Sequence, residues 1–325
     1  MQAIVCHEFT GPATLRLEEV PEPRPGPGQV RVRVRACGVN FADSLITRGQ
    51  YQKQPAPPFT PGFEVSGEVM ELGAGVGGFA IGDRVIAMTP HGGYAEQVIA
   101  DFERCVPMPA AMSWEHGAAF PVVFGTSHLA LWHRARLRAG ETLVVHGASG
   151  GVGLTAVAIG KQLGATVIAT ANGPGKLQVA SAHGADHLID SSHEDLRTRI
   201  RELTDGRGAD VVYDPVGGEL FNASLRSIAF EGRILIIGFA GGAVPQIPAN
   251  HLLVKNVDVI GVNWPAYAEL NPQVMTESFQ TLMQWYLDGA IKPNVSATYP
   301  LAQAVEALNQ VVTRKSTGKI VIMMA

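Results

Sequence analysis

The stretch Val144-Val145-His146-Gly147-Ala148-Ser149-Gly150-Gly151-Val152-Gly153-Leu154 decides the fold: a β-branched run stops at a glycine turn that opens straight into an apolar segment. Glycine at 150 and 153 leaves no Cβ between the backbone and a phosphate, or between a helix and the strand beneath it. A helix starting here presents unpaired N–H groups and the positive end of its dipole to an anion. The stretch reads as the pyrophosphate turn of a dinucleotide-binding βαβ unit, with Ala148 in place of the first glycine of the GxGxxG fingerprint.

Outward from the turn, Val152, Ala156, Ile159 and Leu163 recur at helical spacing, Gly164 stands at the helix end, and residues 165–170 supply the next strand. Strand-like runs follow at 186–189, 210–213, 233–237 and 257–261, with a helical segment between most pairs. This alternation predicts an α/β architecture, a doubly wound parallel sheet of Rossmann type. At the end of the second strand, about twenty residues past the turn, an NAD-selecting domain usually carries Asp or Glu on the ribose hydroxyls. Here the segment is Thr170-Ala171-Asn172-Gly173-Pro174-Gly175-Lys176. Asn172 is uncharged and does not repel a 2′-phosphate, and Lys176 stands close enough in sequence to pair with one, which favours NADPH. The alternative makes Lys176 a solvated lysine at a helix start, where the dipole disfavours it.

A chain of 325 residues that is 46% apolar and 17% charged can fill the cores of two domains. The net charge of −4, with no long run of Lys or Arg, argues against nucleic acid or an anionic membrane as partner. Cys6, Cys37 and Cys105 show neither CxxC nor Cys/His spacing, so neither a disulfide framework nor a metal cluster is expected, and a reducing cytoplasm fits best. The first residues lack a basic segment leading into an apolar one, and no apolar run reaches membrane-spanning length, so neither export nor insertion is expected.

Residues 29–36 alternate Val30, Val32 and Val34 with Arg31, Arg33 and Arg35 behind a Pro/Gly loop at 21–28, and short strand-and-turn segments continue to about residue 121. That is a β domain. After residue 261 the strand–helix rhythm ends: helices are expected at 275–287 and 301–312 and a last strand at 318–324. This tail is assigned back to the first domain, giving a catalytic domain at 1–122, a cofactor domain at 123–266 and a return at 267–325.

Several motifs then occur in one order: Cys37-Gly38-Val39-Asn40-Phe41-Ala42-Asp43, Pro61-Gly62-Phe63-Glu64-Val65-Ser66-Gly67, Gly82-Asp83-Arg84-Val85, Gly93-Tyr94-Ala95-Glu96, the turn at 147–153, and Gly318-Lys319-Ile320-Val321. Together they resemble the medium-chain dehydrogenase/reductase superfamily, and within it the zinc-free quinone oxidoreductase (zeta-crystallin-like) branch. The resemblance implies a GroES-like β-barrel catalytic domain interrupted by a Rossmann domain, with the active site in the cleft between them. Zinc alcohol dehydrogenases place a cysteine ligand where Asn40 stands and a histidine where Phe63 stands, and residues 121–126 offer no cysteine. No metal site is therefore expected, since a Lewis-acid zinc needs three protein ligands.

By the same resemblance Asn40 should lie near the nicotinamide, Thr126 near its ribose, and Ser149, Gly150, Gly151 and Val152 along the pyrophosphate. Asn172, Lys176 and Ser191 should border the 2′-phosphate, and Gly238, Phe239 and Asn263 should flank the nicotinamide. Ser191 replaces a tyrosine common in quinone oxidoreductases, or is polar filler at a strand end. Tyr51 matches a tyrosine that enoyl-thioester reductases of the superfamily are thought to use as general acid; the other reading makes it an aromatic wall. Asp43 reads as a structural carboxylate capping backbone N–H groups, and His91, His128 and His146 as core or surface histidines. Arg48 is solvated or meets an anionic substrate.

The resulting expectation is an NADPH-dependent, zinc-independent reductase of quinones, with Tyr51 and Asn40 as its catalytic residues. The alternatives are a reductase of α,β-unsaturated carbonyls or enoyl thioesters and, in another class, a non-catalytic NADPH-binding crystallin-like protein. An apolar edge strand at 257–262 suggests a homodimer.

Overall fold

The alternating valines of residues 30–34 become the spine of a sheet in the computed structural model, which describes residues 1–325. Seven strands come first: β1 (Gln2–Val5), β2 (Arg16–Glu19), β3 (Gln29–Val39), β4 (Glu64–Leu72), β5 (Arg84–Met88), β6 (Gln97–Asp101) and β7 (Cys105–Pro107). The short helices α1 (Phe41–Ile46) and α2 (Trp114–Ala118) accompany them. Val30, Val32 and Val34 are buried on one face of β3. On the other face, Arg31 and Arg35 reach Glu71 and Glu68 of β4 at 2.9 and 3.0 Å, cross-strand pairing that offsets like charges along one strand.

The chain then runs through α3 (Pro121–His128), which continues as a π-helical turn over Leu129–Arg134, into β8 (Thr142–Val145), α4 (Gly151–Gln162), β9 (Thr166–Ala171) and α5 (Pro174–Ala182). Next come β10 (His187–Asp190), α6 (Leu196–Leu203), β11 (Ala209–Asp214), α7 (Gly218–Ser227) and β12 (Ile228–Ile236). They are followed by α8 (Ala249–Lys255), β13 (Asp258–Gly261), α9 (Tyr267–Leu270) and α10 (Pro272–Leu287). The six strands β8–β13 form one parallel sheet in the order β10-β9-β8-β11-β12-β13. The order reverses between β8 and β11, the switch point where a doubly wound sheet opens a crevice at its carboxyl edge.

Finally β14 (Val295–Pro300), α11 (Ala304–Val312) and β15 (Lys319–Met323) return to the first sheet, whose order is β14-β15-β3-β4-β5-β7 with β6 also on β3. This is the GroES-like plus Rossmann architecture.

By contacts the chain divides into one unit of Met1–Val122 with Pro293–Ala325 and another of Val123–Lys292. This corrects the expected return at 267, because residues 267–292 stay with the parallel sheet. The reason is α10: its buried Ser278 bonds to His128 Nδ1 at 2.8 Å, and its Phe279 packs edge-on against Trp264 with ring centres 6.2 Å apart. An end to the strand–helix rhythm is not the end of a domain when the next helix has an apolar face to bury. No helix is long and apolar enough to cross a membrane.

Candidate active site

In the second unit the glycine turn is built as its sequence suggests. A Cβ at Gly153 would lie 2.2 Å from the Gly147 carbonyl oxygen, so only glycine lets α4 sit this close to the turn. No side chain caps the first turn of α4 and no acid lies in it, which leaves its N–H groups for an anion. The turn is held from below. Ala148 N–H donates to the Thr170 carbonyl at 3.0 Å, and the buried His146 ring bridges Thr170 Oγ1 at 2.9 Å and Ser224 Oγ at 2.7 Å. Burial lowers the His146 pKa, so the ring is neutral and supplies one donor and one acceptor.

Next to half-buried Thr126, the Ser127 hydroxyl lies 2.8 Å from both Thr155 Oγ1 and Tyr213 Oη and 3.0 Å from the Val152 carbonyl, tying α3 to α4. A Cβ at Gly125 would stand 2.6 Å from the Trp264 ring, so the bare backbone of α3 is what receives that indole. Neither contact was visible in sequence.

At the far end of the same edge, Ser191 Oγ donates to Asn172 Oδ1 at 2.7 Å, which joins two residues expected at the 2′-phosphate. Lys176 lies in the first turn of α5, which starts at Gly173 and Pro174 and contains no carboxylate. A lysine at the positive end of a helix suits a site for an anion better than it suits the helix. Gly238 and the exposed Phe239 follow β12, and Asn263 follows β13. The Val262 N–H donates to the Ile236 carbonyl at 3.1 Å, so these two strand ends are neighbours. Thus Ser149, Gly150, Gly151, Val152, Asn172, Lys176, Ser191, Gly238, Phe239 and Asn263 all lie at or just beyond the carboxyl ends of parallel strands.

Asn40 and Tyr51 belong to the first unit. Asn40 follows β3 and precedes α1, and both ends of its amide are held. Nδ2 donates to Glu64 Oε1 at 2.8 Å, and Oδ1 accepts from Lys319 Nζ at 2.8 Å. Lys319 Nζ also donates to Glu64 Oε1 at 2.7 Å and to the Val39 carbonyl at 2.8 Å, while Glu64 Oε2 accepts from the Val122 N–H at 2.8 Å. Glu64 is 0% and Lys319 4% exposed, a fully desolvated ion pair. Both residues sit in motifs quoted above, but no function was read for them. The available signal was Lys319, a charge opening the otherwise apolar strand β15; Glu64 opens a strand that carries two further glutamates and gave none.

Asp43 caps as expected: Oδ2 accepts from the Asn40 N–H at 2.7 Å and Oδ1 from the Gly62 N–H at 3.1 Å. The Tyr94 hydroxyl adds a third bond at 3.0 Å. Burial outweighs these donors and pushes the Asp43 carboxyl up to about 7. The half-buried Tyr51 ring packs on Phe63 with centres 5.1 Å apart. Burial, and after it the charge of Asp43, raise the Tyr51 phenol, which keeps its proton. Arg48 lays its stem over Gly11 and donates to Ser44 Oγ at 3.3 Å. His128 is buried and stacked on Trp132, and burial lowers its pKa to about 4. No three His, Cys, Asp or Glu side chains are grouped to hold a metal ion.

Comparison with known proteins identifies the family that shares this fold. Residues 26–110 match the alcohol dehydrogenase GroES-like domain, and residues 151–287 match the zinc-binding dehydrogenase family. The chain is 41% identical to quinone oxidoreductase-like protein 2 of Rattus norvegicus over 324 residues, covering 99% of this chain and 92% of that one. Among solved structures it is similar to Escherichia coli quinone oxidoreductase complexed with NADPH, with a TM-score of 0.93, 30% identity, and 99% and 100% of the two chains covered. It is also similar to the CurK enoyl reductase, with a TM-score of 0.91, 26% identity, and 100% and 99% covered. The chain is an oxidoreductase that belongs to the medium-chain dehydrogenase/reductase superfamily, in its quinone oxidoreductase branch.

Proposed function

We propose that the protein is an NADPH-dependent, zinc-independent reductase of quinones. The observation that carries this reading is the state of the two positions where a zinc enzyme needs ligands. Asn40 is bound into the Glu64–Lys319 pair, and Phe63 is a ring packed on Tyr51. Neither is free to ligate a zinc that would act as Lewis acid on an alkoxide, so the suitable acceptor is one that spreads developing charge over its own conjugated system, as a quinone does. When bound, NADPH supplies the hydride.

The chain's own residues bind and orient. The N–H groups around Ser149, Gly150, Gly151 and Val152 would take the pyrophosphate, and the open space beside Gly150 fits it, since a Cβ there would meet only the Gly147 carbonyl, at 3.4 Å. Thr126 would hold the ribose, Asn172, Lys176 and Ser191 the 2′-phosphate, and Gly238, Phe239 and Asn263 the nicotinamide. The E. coli relative's complex with NADPH supports the choice of cofactor. Holding the reactants in place supplies much of the rate.

A second reading, reduction of an enone or enoyl thioester, is favoured by Tyr51. The half-buried phenol carries a proton, and a proton is what a developing carbanion requires. NADPH oxidation followed with a benzoquinone, a naphthoquinone, a cyclic enone and an enoyl thioester separates the readings. Turnover of quinones alone supports the first, turnover of the enoyl compounds alone supports the second, and tight NADPH binding without turnover makes the protein a non-catalytic binder.

Assembly as a homodimer is part of the proposal. β13 is the outer strand of its sheet, and Phe230, Leu253 and Val254 on the neighbouring elements β12 and α8 are 65%, 79% and 76% exposed, an apolar rim suited to a second copy. A monomer by sedimentation equilibrium overturns it. Three buried, unpaired thiols suit a cytoplasmic location.

A further inference from the structure

Asp190 ends β10 directly opposite Ala171, the last residue of β9. Its Oδ1 accepts from the Gly173 N–H at 3.1 Å, across the sheet on the turn that starts α5. The same oxygen accepts from the Ser192 N–H at 3.0 Å and from the Ser192 hydroxyl on its own loop. Its Oδ2 lies 3.1 Å from His193 Nδ1. These bonds, the Ser192 hydroxyl first, hold the carboxyl well below the usual carboxylate range, so the group is an anion. One side chain therefore fastens together the two loops that carry Asn172, Lys176 and Ser191.

Besides the Ser191 N–H on the Ala171 carbonyl at 3.1 Å and the Leu177 N–H on the Gly173 carbonyl at 3.3 Å, the turn has little packing to hold it. Gly173 has φ +83°, and no atom lies within 4 Å of where its Cβ would be, so no packing fixes this backbone. Beside the Asp190–Gly173 bond, Ser191 Oγ donates to Asn172 Oδ1, which leaves the amide nitrogen of Asn172 on the side away from Ser191 as a donor. A carboxylate beside a place for a phosphate is a poor neighbour electrostatically unless it is occupied by donors and turned to the backbone. This one is.

We propose that Asp190 is a positioning residue for cofactor choice: by pinning Gly173 to the β10 loop it sets the spacing of Asn172, Ser191 and Lys176, and so the preference for NADPH over NADH, without touching the cofactor. The proposal rests on the reading of those three residues as the 2′-phosphate site. Asp190→Ala removes all the bonds. Asp190→Asn keeps an Oδ1 for three of the four and drops the charge.

The test is the Kd of NADPH and of NADH, measured by cofactor fluorescence on the full chain in the native protein and both variants. Asp190→Ala should weaken NADPH by about tenfold, the size of one charge-assisted hydrogen bond, with NADH unchanged. Asp190→Asn should keep the native ratio or exceed it. An unchanged ratio in Asp190→Ala overturns the proposal, as does equal weakening of both cofactors, which would mark a general structural role. A loss in Asp190→Asn as large as in the alanine variant also overturns it, because charge rather than pinning would then matter. A native protein without preference removes the 2′-phosphate reading itself and the proposal with it, whereas a native preference that survives Asp190→Ala removes the proposal alone.

Discussion

The two units hold their candidate side chains by opposite means. Around Asn40 the holding groups are charges taken out of water, with Glu64 and Lys319 at 0% and 4% exposure and five hydrogen bonds among them, Asn40 and the backbone. Around Asn172 and Lys176 the holding groups lie at the surface: the Asp190 side chain is 17% exposed, and its partner His193 is 80% exposed. A desolvated pair is rigid and intolerant, because removing one member strands the other charge. A surface set is made of bonds worth about 1 kcal/mol net apiece, each replaceable without loss of the fold. On the proposed assignment, the reaction end is the fixed one and the cofactor-selecting end the adjustable one.

The comparison breaks first at Lys319. Lys319→Met leaves Glu64 buried without its counter-charge and should cost about 3–5 kcal/mol in denaturant unfolding, with most of that recovered when Glu64→Gln is added. A loss below about 1 kcal/mol would make the pair behave as a surface one. Tyr51→Phe keeps the ring on Phe63 and removes only the hydroxyl. If the phenol is a general acid, turnover of an enone should fall by about 10²–10⁴-fold with quinone reduction intact, and an unchanged enone rate reduces Tyr51 to a wall.

At the adjustable end, Lys176→Ala should weaken NADPH by about ten- to a hundredfold and leave NADH nearly unchanged. Equal effects on both cofactors would remove the lysine from the phosphate site. The last effect is read along pH and concerns Asp43. Its folded pKa of about 7 lies above the ordinary 3.8, so the native state binds the extra proton. The stability this contributes is complete below about pH 4 and is lost as pH rises through about 7. Asp43→Asn should flatten the melting temperature across that window, and a native profile already flat there contradicts the assignment.

What could be read from sequence was local. The glycine turn and the helix of Val152, Ala156 and Ile159 lie within one βαβ unit, and their periodicity is set by neighbours a few residues away. Asn172 and Ser191, nineteen residues apart, were each read at a strand end, and the family resemblance set both beside the 2′-phosphate. The illegible part was pairing over distance: Lys319 and Glu64 are separated by 255 positions, and His128 and Ser278 by 150. A lone charge in an apolar strand announces that it needs a partner, but nothing in its neighbourhood says which one. The misplaced return at 267 has the same origin, since the partner of the apolar face of α10 lies in α3 and at Trp264, outside any local window.

The position of β15 between β14 and β3 has a consequence for biosynthesis. β3 leaves the ribosome before the parallel sheet is made and β15 after it, yet Ile320 pairs with Val39 and Val321 with Gly38. The sheet of β8–β13 is contiguous in the chain and can close during translation, since domains fold as units in the order they emerge. The sheet built on β3 has to wait with one strand edge bare and with Glu64 lacking the ammonium that neutralises it. Nascent chains arrested before and after residue 319 should therefore differ in protease resistance at β3 and β4 and agree in resistance across β8–β13. Equal protection of β3 and β4 in both would show that the first unit closes without its last strand.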